Sequence, residues 1–201
     1  MRELKAAEEV VINGKTMREI IDESTSQQPV ILTGAELQGV NLNFENLPDA
    51  NLWGAKLVHT SLCQANLKSA YFMRAVMISV DLSGADLTEA NLMDSTIIGG
   101  NLEGANLTNA NLIGADLTAA NLTGTILRGA AMHGVILRGA NLTNADFSGA
   151  DLTNSDLKGA IMKDTKMKAT NLKDTKLEPG DGEAKPSGKS SSILQRLFTK
   201  K

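Results

Sequence analysis

The chain has 201 residues, 42% of them hydrophobic but only 3% aromatic, so its apolar interior must be assembled from small and medium side chains. A net charge of −3 excludes a global basic field that would draw nucleic acid or membrane. A single cysteine, Cys63, excludes an internal disulfide framework, and no apolar stretch approaches the roughly 18 residues of a membrane span.

Residues 1–28 form the first region and show no periodicity. Met1-Arg2-Glu3-Leu4-Lys5 mixes both charges, and no apolar run comes after it that would serve as a signal peptide. A reduced, cytoplasmic setting is therefore expected. Val10-Val11-Ile12-Asn13-Gly14 reads as a short strand entering a turn. Thr16-Met17-Arg18-Glu19 has the spacing of a capping box and predicts a short helix from about Met17 to Glu23. Its apolar side, Met17, Ile20 and Ile21, is expected to cover the open end of the periodic region that begins at residue 29.

Residues 29–178 are governed by a five-residue period. From Leu32 to Leu177 every fifth position is apolar, 23 of the 30 being leucine. Two residues before each of these centres, 17 of 30 positions are alanine and only Glu45 is charged. One residue before the centre, 17 of 30 are Asn or Asp. This period suits neither regular element. Helix residues five apart differ in direction by about 140°, and strand residues five apart fall on opposite faces. A chain that turns a corner every five residues resolves both conflicts. Leucine then points inward beside alanine, Asn or Asp faces water, and Gly, Thr, Asn and Ser fill the corners.

Units such as Ala105-Asn106-Leu107-Thr108-Asn109 and Ala115-Asp116-Leu117-Thr118-Ala119 resemble the pentapeptide-repeat family. The resemblance covers about three quarters of the chain. It implies an all-β fold, a right-handed quadrilateral parallel β-helix of about 7.5 coils with four units per coil. At ~4.8 Å between stacked strands the rod would be about 35 Å long. A solenoid of this kind is held by neighbour contacts and needs protected ends. Near the second end the small inward position becomes Thr165, Thr170 and Thr175, and lysines gather at 158, 163, 166, 168, 173 and 176. Polar, lysine-rich edges discourage strand pairing between copies.

Residues 179–201 form the last region, a flexible linker and then a short segment. In that segment Ile193, Leu194, Leu197 and Phe198 fall on one face of a short amphipathic helix with Ser192 as its cap. Docking of this face on the rod or on a partner is one expectation and plain disorder the other. Membrane contact through the tail is the lesser expectation.

No clustered acid, base, nucleophile or metal site emerges, so no enzyme activity, cofactor or metal is expected. His59 and His133 lie nearly four coils apart, and Cys63 comes after His59 around a corner. Gly99-Gly100 lacks the subsequent Lys-Ser/Thr of a phosphate loop. The Asn-Leu-Thr triplets at Asn106, Asn121 and Asn141 fall out of the repeat itself.

Residues 20 apart should stack on one face. The residues after the centres then form a column Thr33, Trp53, Met73, Met93, Ile113 on one face and Gln38, Val58, Ile78, Ile98, Thr118 on the next. Tyr71 and Val76 also point outward. Trp53, Val58, Tyr71, Met73, Val76, Ile78, Met93, Ile98 and Ile113 together predict a contiguous outer apolar stripe, and such a patch marks an interface. The other two faces are expected to be polar. The favoured function is a non-catalytic protein–protein interaction module, a scaffold or regulator of bacterial origin, binding a partner protein or a second copy of itself. The family resemblance offers an alternative, a mimic of B-form DNA that binds DNA gyrase as quinolone-resistance members do. Nine acids against Arg128 and Arg138 between Asp81 and Asp156 favour it. Direct nucleic-acid binding is not expected.

Overall fold

A computed structural model describes residues 5–6, 10–12, 14–24 and 28–177. Within 28–177 the chain is a right-handed four-sided β-helix. Each five-residue unit contributes one bridging residue, and each bridge joins residues 20 apart in parallel, as in Asn51↔Tyr71, Tyr71↔Asn91 and Asn91↔Asn111. Four units therefore complete one coil. The ladder runs at both sides of each unit: the Leu52 N–H donates to the Tyr71 carbonyl at 2.8 Å and the Gly54 N–H to the Met73 carbonyl at 2.9 Å.

Every corner is the same turn. The Ala35 N–H donates to the Leu32 carbonyl at 3.0 Å, and the pattern repeats along the rod. The second residue after each centre, from Gly34 to Asp174, lies in the left-handed region, with φ between +53° (Ser79) and +75° (Gly149). That is the φ a type II turn requires at its third residue. Glycine takes it without cost, yet Arg74, Glu89 and Ala119 hold it too, because the ladder on both sides fixes the corner.

The interior reflects the period. Every centre from Leu32 to Met167 is buried, with Phe72 and Phe147 the largest side chains in the stack. Leu172 and Leu177, in the last layer, are only partly covered. Where threonine replaces the small inward alanine, its hydroxyl is satisfied across the stack. Thr125 Oγ1 donates to the Leu102 carbonyl at 2.8 Å and Thr165 Oγ1 to the Leu142 carbonyl at 2.8 Å, in the preceding coil in each case. A buried hydroxyl without such a partner would cost about 1–3 kcal/mol.

The Asn/Asp position departs from the expectation that it faces water. The side chain folds back onto its own corner: Asn51 Oδ1 accepts from the Trp53 N–H at 3.1 Å and Asp116 Oδ1 from the Thr118 N–H at 2.9 Å. Asp146 and Asp156 are in fact buried. Asparagines also stack between coils, with Asn101 Nδ2 on Asp81 Oδ1 and Asn121 Nδ2 on Asn101 Oδ1, both at 3.1 Å. The repeat thus selects Asn and Asp because they accept the corner N–H two residues on.

These hydrogen bonds set an acid limit on the fold. Burial pushes the Asp146 and Asp156 carboxyls up, but bonds from the residue two positions on and from Arg128 or Arg138 outweigh it and hold both below the usual carboxylate range. Asp86 behaves likewise through Thr88 and Lys68. A carboxylate with a lowered folded pKa adds stability above its unfolded pKa of about 3.9 and loses it as pH falls through the folded value. Resistance to urea should therefore be flat above about pH 5 and decline below about pH 4. The Asp86/Asp146/Asp156→Asn variant should lose less over that window, measured as the change in urea midpoint; an equal loss would contradict this account.

The N-terminal residues build a cap. β1 (Val11–Ile12) and β2 (Lys15–Thr16) form an antiparallel hairpin around Gly14, whose φ is +82°. α1 (Met17–Asp22) begins directly after β2, with Glu23 as its C-cap. Thr16 Oγ1 accepts from the Glu19 N–H at 3.2 Å, and Glu19 Oε2 accepts from the Thr16 N–H at 2.7 Å. Met17 and Ile21 enter the core of the rod, and Ile20 packs against it. Lys5 lengthens the ladder at the same end: its N–H donates to the Gly39 carbonyl at 2.7 Å and its carbonyl accepts from the Asn41 N–H at 2.8 Å.

Candidate functional site

Glu45 is the one charged residue among the small inward positions. Its side chain is 19% exposed, and Arg18 Nη2 from α1 reaches Glu45 Oε2 at 2.6 Å. The anomaly in the repeat is thus the receptor for the cap, a structural pairing rather than a catalytic one.

The candidate catalytic side chains are not brought together. Cys63 Sγ accepts from Ser83 Oγ at 3.3 Å, one coil on, and its backbone N–H donates to Asn43 Oδ1 at 2.8 Å. His59 stands exposed at a corner with φ +57°. Among the described residues no group of three or more His, Cys, Asp or Glu side chains is placed to hold a metal ion. One cleft of about 560 Å³ lies at the cap, lined by Ile12, Ile20, Val30 and Ile31 with Lys15 and Glu23. Lys15 and Glu23 pair with each other, so the cleft offers no free charge for chemistry.

The outer apolar residues are arranged by the ladder. Bridging places Tyr71 between Asn51 and Asn91 on one face and Val76 between Lys56 and Thr96 on the next. In the third coil all four outward positions across these two faces are apolar: Tyr71, Met73, Val76 and Ile78. Trp53 and Val58 lie above them, Met93 and Ile98 below, and Ile113 one coil further. Trp53 is 44% and Tyr71 48% exposed, and Ile78 and Ile98 are also exposed. Val58, Met73, Val76, Met93 and Ile113 are half-buried, supporting these edges from the side. Arg74 and Asp94, both exposed, stand at the corners where the two faces meet, and exposed Lys56 stacks on Val76, so polar side chains are interleaved with the apolar ones. Exposed aromatic, methionine and isoleucine side chains interleaved with arginine suit a protein interface, where aromatic residues, Met and Arg are enriched.

Tyr71 and Val76 occupy the position that Asn or Asp holds in most units. Neither can accept the corner N–H as Asn51 accepts from Trp53 and Asn91 from Met93, the latter at 3.2 Å. The patch is therefore placed where the repeat gives up a local hydrogen bond.

Other exposed apolar residues were not in the predicted stripe. Phe44, at a corner of the first coil, is 70% exposed, the highest among the described large hydrophobics, and Ile31 is exposed beside the cap cleft. The two faces expected to be polar carry Ile126 and Ile161, both exposed. The proposed docking residues Ile193, Leu194, Leu197 and Phe198 lie outside the described residues.

The family comparison agrees with this geometry. The pentapeptide-repeat family profile matches in eight copies, over residues 46–72, 55–94, 70–109, 101–139 and 136–174. Among curated proteins none matches. Three of the similar solved structures are pentapeptide repeat proteins or a quinolone-resistance protein. HetL, involved in heterocyst differentiation regulation in the cyanobacterium Nostoc sp. strain PCC 7120, is 28% identical, with 76% of this chain and 82% of that chain covered and a TM-score of 0.41. A protein of the Arabidopsis thaliana thylakoid lumen is 27% identical, with 58% and 74% covered and a TM-score of 0.49. QnrB1, a plasmid-mediated fluoroquinolone resistance protein, is 17% identical, with 84% and 94% covered and a TM-score of 0.40.

Proposed function

The chain belongs to the pentapeptide-repeat family, and we propose from its surface that it is a non-catalytic interaction module that grips a partner protein through the patch centred on the third coil. The observation that carries this reading is the apolar set Tyr71, Met73, Val76 and Ile78 on the two faces that meet at the Arg74 corner, with Trp53 beside it. Aromatic and methionine side chains are enriched in binding cores, and a cluster of them outweighs scattered exposed residues. The rod supplies a rigid mount, since every corner is fixed in one conformation. In this reading residues 1–28 are a cap, 29–178 the rod and 179–201 an appendage.

The gyrase-binding, DNA-mimicking alternative is weaker on the geometry of its acids. Asp81, Asp86, Asp116, Asp146, Asp151 and Asp156 each accept a corner N–H. Arg128 and Arg138 further pair with Asp146 and Asp156 at 2.8 and 2.6 Å. Their positions obey the repeat rather than the path of a phosphate backbone.

The Trp53/Met73/Met93→Ser variant tests the proposal by co-purification from the native lysate beside the wild-type chain. The expected result is an unchanged circular dichroism spectrum and loss of a protein, or of an untagged second copy, that the wild type retains. Identical recovery by both baits would end the proposal. Inhibition of gyrase supercoiling by the variant and the wild type alike would favour the alternative.

A further inference from the structure

The rod is electrically lopsided along its axis. Nine acids against two arginines give residues 81–156 a net charge of −7. The last coil, 157–177, carries six lysines against Asp164 and Asp174, a net of +4. Stacking distributes those lysines around the whole end, with Lys173 on the Trp53 face, Lys176 on the Ile78 face, and Lys163, Lys166 and Lys168 on the other two. These five are exposed. They rim a layer whose own core is incompletely covered: Leu172 and Leu177 are half-buried and Ile161 is exposed.

We infer that this end of the rod docks on an anionic lipid surface, with the axis upright on the membrane. Lysines set around an apolar ledge suit the bilayer interface, where the alkyl stems lie along apolar surface and the ammonium groups reach the headgroups. The acidic coils enforce the orientation, because a rod lying flat would press a net −7 against a negative surface. The same coils disfavour nucleic acid, a long polyanion that would run alongside them, whereas a membrane meets the end alone. A basic rim around an apolar ledge combines electrostatic attraction with apolar burial, the two contributions on which interfacial binding depends. This surface is separate from the Trp53 patch.

The test is co-sedimentation of the full chain with vesicles of equal phosphatidylglycerol and phosphatidylcholine, beside vesicles of phosphatidylcholine alone. Binding is expected to the anionic vesicles only, and it should fall away towards 1 M salt, where the screening length drops to about 3 Å. Reversing Lys163, Lys166, Lys168, Lys173 and Lys176 to glutamate should weaken partitioning at least about 100-fold, since each basic residue near such a surface contributes about fivefold. The corresponding glutamine variant, which removes charge without adding repulsion, should show an intermediate loss and guards against a folding defect. The Trp53/Met73/Met93→Ser variant should bind vesicles as the wild type does, so failure of the partner proposal leaves this one standing. No binding of the wild type, unchanged binding of both lysine variants, or preference for duplex DNA over vesicles at equal phosphate would overturn it.

Discussion

Replacing Gly100 with alanine should lower stability by about 1–3 kcal/mol, although alanine is the commonest residue at this position of the repeat. Gly100 is buried and carries no positive φ, so nothing in its backbone asks for glycine. The obstacle is a neighbour. An added Cβ would lie 2.8 Å from Ile97 Cγ2, 3.1 Å from the Ile97 carbonyl oxygen and 3.3 Å from Val80 Cγ1. Ile97 is the one β-branched residue among the centres, and its second methyl fills the space an alanine takes elsewhere. A Gly→Ala change at a compatible site stabilises by about 0.4–1 kcal/mol, so overpacking decides the sign here. The melting temperature should fall by about 2–4 °C per kcal/mol for a chain of this size. The double variant Ile97→Leu/Gly100→Ala restores the pairing used by most units and should recover most of the loss. A single variant that melts higher than the wild type would refute the steric explanation.

A second large effect is expected at the cap. Arg18→Met should cost about 2 kcal/mol, because it strands the Glu45 carboxylate in a site only 19% exposed. Glu45→Ala should cost much less. It installs the residue most units carry, and Arg18 retains a carboxylate at 3.7 Å in Asp22. The combined variant should be more stable than Arg18→Met alone. Urea unfolding of the three variants measures this coupling; additive losses would mean that the ion pair does not join cap to rod.

The period was legible because burial enforces it. A chain turning every five residues must bury one side chain per unit, and Leu32 through Met167 obey. The capping box was legible because it is local, four residues long and chemically specific. Contacts between segments distant in sequence were not. Glu45 was visible as an exception, but its reason lies in Arg18, 27 residues earlier in the chain. The role of Asn and Asp was misjudged for a different reason: the sequence shows polarity, whereas the backbone N–H that Asn51 and Asp116 accept becomes apparent only once the corner geometry is known. The signal was available in the tolerance of these residues for turns. The outer stripe was legible along the column after each centre, as Trp53 and Met73 show. Phe44 escaped because it sits at the corner itself, a position where the repeat usually presents glycine or a polar residue.

The ladder joins residues 20 apart, while the core repeats every five. These two periods treat insertions and deletions differently. Removing a single pentapeptide between the second and third coils would leave every leucine pointing inward, yet it would turn all later coils by a quarter revolution. Trp53 would then stand above Ile78 rather than Met73, and Tyr71 would pass to a different side. Only gains or losses of four units preserve the outer columns. The interior therefore tolerates changes in length that the surface does not, and the surface dictates the step in which such a rod can lengthen or shorten while keeping its patch.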